Sequence, residues 1–339
     1  MNAVMRNSAI AAKISCMSSK LLTLEDYASM AELKNVSQVA AYLKNNTHYG
    51  AILDSVNEAD VHREPLEILL KTTLVDDFEK LYCFADCSLK GFLDKILMFY
   101  EIEAIEHVAH SVYNKNCADE MLGEFLKRHI DVDLEILSSA TTLDEFAESL
   151  GNTQYYKAFS SIVKSRGALS VFDIETALNI YCYTAVMKSI QNIPKEEQAS
   201  IQAFYGTVVD IMNLKTLLRM KSSFKRESEY IYGCIIPYNY KLKKEEISAL
   251  AGADDEKTLK ELIASSAYGT LFKDDFYEMS IARYIYNMSK RFIRRYPYNY
   301  VSISSYFKIK ETEIKNVFSV IEGIRYSLEP EKIMSYVVI

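Results

Sequence analysis

Amphipathic helical periodicity is the feature that most constrains this sequence, because it recurs along the chain and few residues interrupt it. In the stretch KIKETEIKNVFSVIEGIRYSLEPEKI, apolar residues follow at spacings of three, four, three and four: Ile314, Val317, Ile321, Ile324 and Leu328. Such spacing places them on one face of a helix. Only 10 glycines and 5 prolines occur in 339 residues, and this scarcity favours long helices over short strands.

Further segments have the same periodicity: 10–21, 64–113, 195–225 and 274–296. The second is predicted to carry Pro65 in its first turn and to break near Gly91. The third follows Pro194, and the fourth ends before Pro297. The best strand candidates are short and isolated: YIYGCII and YVSI. We therefore predict an all-α protein.

Gly323 lies beside the apolar stripe of the last long helix. A glycine inside a helix costs about 1 kcal/mol relative to alanine. We expect this glycine to allow close approach of another helix, against which the stripe is buried.

An internal repeat occurs three times. Each copy has a helix-capping residue, an apolar helix, a short polar break, a tyrosine and, four residues later, an apolar residue. The caps are Ser37, Thr142 and Asp255, the tyrosines Tyr49, Tyr155 and Tyr268, and the apolar residues Leu53, Phe159 and Phe272. The tyrosines are 106 and 113 residues apart, which indicates three related helical domains rather than a short-period solenoid. The alternative is a chance likeness, because capping preferences are general.

Composition and charge exclude several classes of protein. The net charge of −7 argues against a general nucleic-acid binder, which needs a basic surface. No apolar run reaches the roughly 20 residues that span a bilayer. The N-terminus lacks an apolar core leading to a cleavage site, so no secretory signal is expected. Six scattered cysteines favour reduced thiols over a disulfide framework.

Catalytic motifs are missing from the sequence. It contains no phosphate-binding loop, no GxGxxG and no GxSxG. Adjacent carboxylates occur at 76–77, 245–246 and 274–275, and in helical proteins such pairs usually mark solvated faces or first turns. We predict no catalytic residue and no cofactor.

Two weak metal-site candidates remain. His107 and His110 are one helical turn apart, with Glu103 and Glu106 nearby, but a closed site needs further ligands. The alternative is a polar helix face, and we predict no metal. A second candidate, the pair Cys83 and Cys87, lacks a partner pair at zinc-site spacing, so both are interpreted as small core residues.

Two basic clusters contrast with the acidic total. The first is formed by Lys215, Arg219, Lys221, Lys225 and Arg226, and the second by Lys290, Arg291, Arg294 and Arg295. They could dock an acidic partner or lie near anionic headgroups, and the alternative is a solvated helix face. The partner-docking candidates are Arg219, Lys221, Lys290, Arg291, Arg294 and Arg295.

Three segments, in the correct order, carry a family resemblance. AKISCMSSKLLTLEDY (12–27) resembles the N-terminal signature of the C/d family of V/A-type ATPase subunits, whose members have the letter C in prokaryotes and d in eukaryotes. The matching residues are Ala12, Lys13, Ile14, Lys20, Leu21, Leu22, Thr23, Asp26 and Tyr27. Both lysines, Lys13 and Lys20, stand where arginine is common in the family.

The other two segments lie in long helices. VVDIMNLKTLLRMKSSF is similar to the family's Asp-x-x-Asn helix, through Asp210, Asn213, Leu218, Arg219 and Lys221. The middle third departs from it, with Glu101, Ala104 and His110 at the corresponding places. The last segment resembles the family's C-terminal helix pair, through Pro297, Tyr306, Lys310, Glu311, Glu313, Ile314, Asn316, 321–323 and 330–333.

The resemblance implies both fold and function. It implies three similar all-helical domains with pseudo-threefold symmetry that form a hollow cone, here expected at 1–95, 96–200 and 201–339, the last with the C-terminal helix pair. It also implies a non-catalytic socket in the central stalk, which couples the rotating shaft to the membrane rotor ring for ATP-linked proton or sodium transport. The expected partners are the shaft and ring subunits, with no nucleic acid. The expected location is cytoplasmic, peripheral to the membrane through the complex and without a span of its own.

Two other functions remain open at this point. One is a generic helical scaffold for protein contacts, against which the period near 110 residues argues. The other is a helical metal-dependent enzyme that uses the region of His107 and His110.

Overall fold

The fold is all-α throughout the part of the chain that the structure describes. The structure is a computed structural model, and it describes residues 3–54, 63–115, 132–158, 169–221, 228–274 and 276–339. These residues form α-helices, short 3₁₀ helices and connecting turns, with no strand among them. The predicted fold class is therefore confirmed. Both strand candidates lie in or beside helices instead. None of the described helices combines the length and the apolar character needed to cross a bilayer.

The chain divides into two compact units. The first unit comprises Met1–Asp86 and Asp274–Ile339, and the second comprises Cys87–Lys273. The first contains α1 (Ala3–Ser18), α2 (Leu24–Ala31), α3 (Val36–Asn46), α4 (Gly50–Leu53), α5 (Arg63–Tyr82), α14 (Tyr277–Arg295), α15 (Val301–Arg325) and α16 (Pro330–Ser335). The second contains α6 (Cys87–Asn114), α7 (Leu134–Ser138), α8 (Leu143–Ser149), α9 (Val171–Ser189), α10 (Lys195–Arg219), α11 (Ser228–Gly233), α12 (Lys244–Ala251) and α13 (Glu256–Ser265). Short 3₁₀ helices cover Ile190–Asn192 and Gly269–Phe272. The three expected domain boundaries and the cone stay predictions.

Helix α15 lies at the centre of the first unit. It packs against α14 along its length and against α1, α2, α3, α5 and α16. The predicted stripe is buried at Ile314, Val317, Ile321 and Ile324. Leu328 was expected in the same stripe, but it is 37% exposed. The helix ends at Arg325, and Ser327 takes a left-handed φ of 54° that turns the chain away before Leu328.

Gly323 lies inside α15 with α16 packed close against it, as predicted. A Cβ atom at this position would be 2.6 Å from Cγ1 and 3.1 Å from Cδ1 of Ile333. Those separations are well below ordinary van der Waals contact, so only a residue without a side chain allows this approach.

In the second unit, α6 packs along α9, and α10 packs against α9 and α13. The predicted long helical region does break, but at 83–86 rather than near Gly91. Gly91 continues α6, because a lone glycine only lowers helix propensity. Asp86 and Ser88, which have side chains typical of helix starts, flank the actual beginning of α6. Pro65 lies in the first turn of α5, and α10 starts after Pro194, both as predicted.

Candidate functional site

The three repeated tyrosines have the same environment. Tyr49, Tyr155 and Tyr268 are each at most 1% exposed. Each hydroxyl donates to a carboxylate on a long helix: Tyr49 to Glu313 at 2.7 Å, Tyr268 to Asp210 at 2.9 Å, and Tyr155 to Glu101. A buried tyrosine hydroxyl needs a partner, and here the same type of partner recurs three times. The three tyrosines of the repeat therefore share one local environment, while the three related domains stay a prediction.

The turn before each tyrosine is also the same. The tyrosine N–H donates to a hydroxyl two residues earlier, belonging to Thr47 at 3.2 Å, Thr153 at 3.2 Å and Ser266 at 3.3 Å. These hydroxyls fix the turn that sends each tyrosine back into its core. The recurrence of this local geometry argues against a chance likeness of amphipathic helices.

The helix caps before the tyrosines agree in two copies. Thr142 accepts from the N–H of Glu145, and Asp255 from that of Thr258, as predicted. In the first copy, the prediction of Ser37 is wrong. Asn35 caps α3 and accepts from the N–H of Gln38 at 2.9 Å, whereas Ser37 is the second residue of the helix.

The apolar residues after the tyrosines differ in burial. Leu53 is buried and Phe272 is half-buried, while Phe159 lies outside the described residues.

The buried carboxylates hold backbone as well as tyrosine. Asp210 accepts from the N–H groups of Tyr240, Lys241 and Leu242 at 2.9, 2.6 and 3.1 Å, just before α12. Glu313 accepts in the same way from the N–H of Leu22 at 2.5 Å, just before α2. Both carboxylates therefore anchor the chain where a short helix of the repeat begins.

The asparagine three residues later anchors a second segment. Asn213 accepts from the N–H of Ile236 at 2.9 Å and donates to its carbonyl at 3.1 Å. Asn316 makes the same pair of bonds with Val338, both at 2.9 Å. Ile236 lies 23 residues after Asn213, and Val338 lies 22 residues after Asn316. In the middle copy, Ala104 cannot make these bonds. The carboxylate-x-x-Asn pattern therefore has a structural role in two copies.

The first unit adds a buried lysine to this arrangement. Lys310 is 1% exposed, and its Nζ donates to Oε1 of Glu313 at 2.7 Å, to the hydroxyl of Tyr49 at 2.8 Å and to Nε2 of His48 at 2.6 Å. All three ammonium hydrogens have acceptors, which a buried charge requires. We call Lys310, Glu313, Tyr49 and His48 the lysine cluster.

Burial lowers the pKa of both basic groups in the lysine cluster, Lys310 and His48. Desolvation lowers the pKa of Lys310, while Glu313 opposes that shift. Burial, and then the charge of Lys310, lowers the pKa of His48 to about 4. His48 is therefore neutral at pH 7, with its Nε2 lone pair directed at the ammonium group. Sequence reasoning missed this cluster, although a Lys-x-x-Glu pair within an apolar helix was a usable signal.

The suggested histidine site does not form a metal centre in the structure. His107 is exposed, whereas Nε2 of His110 lies 2.7 Å from Oε1 of Glu175 on α9. Glu106 accepts from Asn179 at 3.0 Å. Burial, with repulsion from Glu175, raises the pKa of Glu106 to about 8. Among the described residues, no group of three or more His, Cys, Asp or Glu side chains could hold a metal ion.

The two basic clusters differ in the contacts that their side chains make within their own unit, and the first includes an ion pair. Arg219 is engaged inside its own unit, 3.5 Å from Oε2 of Glu175 and 4.8 Å from the ring centre of Phe172. Lys221 is half-buried just after α10. Lys225 and Arg226 lie outside the described residues.

The second basic cluster is exposed near the C-terminal end of α14. Lys290, Arg291, Arg294 and Arg295 lie in the last six residues of the helix, on or beside its solvent-facing side. None of them forms an ion pair with an acidic residue in the ranges that the structure covers. Nζ of Lys290 lies 5.2 Å from the ring centre of Tyr286, and the guanidinium of Arg295 lies 5.4 Å from that of Tyr296. This cluster is available to a partner, and its docking role stays a prediction.

The interpretation of Cys83 and Cys87 as core residues is wrong, because both are exposed. Cys83 follows the last residue of α5, and Cys87 is the first residue of α6. Both fall in the segment that was predicted to be helical up to about Gly91, whereas the chain is not helical at 83–86.

Comparisons with known proteins cover almost the whole chain. The family model described as ATP synthase (C/AC39) subunit matches residues 10–336. The C subunit of the A-type ATP synthase of Pyrococcus abyssi is 23% identical over 339 residues, covering 96% of this chain and 88% of that protein. The corresponding proteins from Methanosphaera stadtmanae and Methanocaldococcus jannaschii are 24% and 23% identical, covering 96% of this chain and 84% and 85% of those proteins.

Proposed function

Because the chain belongs to the ATP synthase (C/AC39) subunit family, we propose that it is the central-stalk socket of a rotary V/A-type ATPase. It is an accessory, non-catalytic subunit of that complex. In the proposed role it receives the tip of the rotating shaft and rests on the membrane rotor ring, so that ATP-linked proton or sodium transport depends on it. It lies on the cytoplasmic side, held at the membrane through the complex.

The family match over residues 10–336 is the observation that carries this proposal. The similar proteins from A-type ATP synthases are matched over most of their own length, so the likeness concerns a whole subunit. The repeated tyrosine-carboxylate contacts are consistent with the expected triplication.

A torque-transmitting socket must be stiff, and the contacts within each unit favour stiffness. Close-packed interiors have low compressibility. Glu313 and Asp210 fix the starts of short helices, and Asn316 and Asn213 fix downstream segments, through bonds between side chain and backbone. Such bonds hold turns that hydrophobic packing alone leaves free to move.

Partner docking is proposed for the basic candidates. Arg219, Lys221, Lys290, Arg291, Arg294 and Arg295 would meet acidic groups of the shaft or ring subunits. Charges at the rim of an interface act mainly on association rate and salt dependence. The α14 residues are better placed for this than Arg219, which already contacts Glu175.

Co-purification of the native complex tests the proposal. The intact complex would be isolated through an affinity tag on this chain and then dissociated in steps, with its subunits identified by mass spectrometry. We expect the shaft subunits to remain with the chain after the catalytic head is removed. Recovery of the chain without the shaft subunits, or only with peripheral-stalk subunits, would contradict the central-stalk assignment.

A further inference from the structure

The outer face of α14 carries charge of one sign. Residues 283–295 read RYIYNMSKRFIRR, with five cations and no acidic residue in a chain of net charge −7. On a helix, these five cations fall within about 140° of the circumference and extend for about 18 Å. We call them the basic ridge: Arg283, Lys290, Arg291, Arg294 and Arg295.

The first unit makes little use of the basic ridge. The opposite face of α14 packs along α15, where Ile281, Met288 and Ser289 are buried. None of the ridge cations is buried. Within the described residues, Arg283 alone among them forms a hydrogen bond, donating to the carbonyl of Ser335 at 2.9 Å. Arg294 and Arg295, in the last turn of the helix, stabilise the helix dipole, but that effect falls off within one turn and does not account for Lys290 and Arg291.

The lack of fully exposed hydrophobic side chains along the basic ridge, from Arg283 to Arg295, favours a protein partner over a membrane. Every apolar or aromatic residue between Arg283 and Arg295 is buried or half-buried, so the ridge offers no fully exposed hydrophobic side chain for insertion. Helices that bind at a lipid interface use such an apolar face. A line of cations on a helix is complementary to carboxylates that follow at three or four residues on another helix.

We propose that the basic ridge of α14 is the docking surface for an acidic α-helix of another subunit. That this subunit is the shaft rests on the proposed function. The docking helix presents carboxylates along one face over about three turns, which matches the length of the ridge. Arg219 and Lys221 do not belong to this surface.

Binding to the purified shaft subunits is the first test. The ridge variant Arg291→Glu/Arg294→Glu is compared with Lys257→Glu/Lys273→Glu, which makes the same charge change at exposed lysines of the other unit. At about 0.05 M salt we expect the ridge variant to raise Kd at least about tenfold and the control to leave it within about twofold. The difference should shrink at about 0.3 M salt. Circular dichroism confirms folding, and Arg291→Gln/Arg294→Gln replaces the reversal variant if that one unfolds.

The outcomes separate the inference from the proposed function. If the unaltered chain binds no shaft subunit, the proposed function is wrong. If it binds and the ridge variants bind equally well, the docking inference alone is wrong. A synthetic helical peptide with glutamates at four-residue spacing, compared with its glutamine analogue, probes the ridge independently. Only the glutamate peptide should bind, and binding should fall in the ridge variants; equal binding of both peptides contradicts the inference.

Lipid vesicles test whether the basic ridge binds anionic lipid instead of an acidic helix. Phosphatidylcholine vesicles with and without about 30% phosphatidylserine are mixed with the unaltered chain and with the ridge variant. We expect no ridge-dependent binding to either. Binding that requires phosphatidylserine and is lost in the ridge variant, together with unchanged shaft binding, would assign the ridge to lipid and overturn the proposal.

Discussion

At the scale of single residues, Lys310 is a cation buried inside the first unit, with the hydrogen bonds of its ammonium group all made to other side chains. Its ion-pair partner Glu313 lies on the same helix, whereas His48 and Tyr49 come from a distant part of the sequence. Removing one member of a buried ion pair leaves the other charge uncompensated, which is strongly destabilising. We expect Lys310→Met to lower the free energy of unfolding by about 3–5 kcal/mol, measured by urea denaturation at pH 7.

Lys308→Met is the matched control for that variant. Lys308 lies on the same helix and pairs with Glu311 at 2.8 Å, but its side chain is 36% exposed. An exposed pair contributes only about 0–1 kcal/mol. Similar losses in the two variants would mean that burial of the Lys310–Glu313 pair has no special energetic weight.

The pKa of His48 gives the first unit a predictable dependence on pH. In the unfolded chain, His48 binds a proton below its ordinary pKa of 6.5, whereas in the folded state the pKa is about 4. Between these values the unfolded state binds more protons than the folded state. The contribution of His48 to stability is therefore fully present above pH 6.5 and is lost as pH drops towards 4. The shift corresponds to about 3 kcal/mol.

His48→Gln removes this titration and keeps a side chain that can accept from Lys310. We expect the denaturation midpoint of the variant to vary less than that of the unaltered chain between pH 6.5 and 4. Carboxylates titrate in both proteins, so the difference between the two profiles is the measured quantity. Parallel profiles would show that His48 does not couple folding to pH.

At the scale of elements, two helical glycines provide a pair of opposite predictions. Gly323→Ala would place Cβ 2.6 Å from Cγ1 of Ile333, and overpacking should cost about 1–3 kcal/mol. Gly91 lies inside α6, and a Cβ atom added there would meet open space, so Gly91→Ala should stabilise by up to about 1 kcal/mol. Thermal midpoints of the two variants should move in opposite directions. A rise in the Gly323→Ala variant would reject close packing of α16 on α15.

The sequence predicted the helices better than their ends. Periodicity identifies a long helix from many residues together, and α10, α14 and α15 were recognised in this way. A helix end depends on one or two side chains. Asn35 and Ser37 are both good caps, and local spacing does not distinguish them. Such choices are decided by packing that the linear pattern does not contain.

The lysine cluster shows why the polar interior was harder to predict. Lys310 meets His48 and Tyr49 across 262 and 261 residues, and no local pattern connects them. The carboxylate-x-x-Asn pattern was visible, but its purpose was not. Its backbone partners at Ile236 and Val338 carry no distinctive side chain, so only the folded chain identifies them.

At the scale of the whole molecule, the same tyrosine–carboxylate contact joins residues at very different separations along the sequence. In the second unit, Tyr268 lies 58 residues after Asp210, and Tyr155 lies 54 residues after Glu101. In the first unit, Glu313 lies 264 residues after Tyr49. The first copy is therefore completed by a helix from near the far end of the sequence. This arrangement is compatible with the proposed threefold socket, in which every copy needs a long helix.

Coupling of shaft rotation to ion transport is the proposed role of the whole molecule. Its most direct test is the number of ions moved per ATP hydrolysed, measured on the complex in vesicles after removal of this chain and after its return. We predict that the catalytic head still hydrolyses ATP without the chain, that ion uptake falls to background, and that adding the folded chain restores uptake. An unchanged ratio of ions to ATP in the complex that lacks the chain would contradict the coupling role.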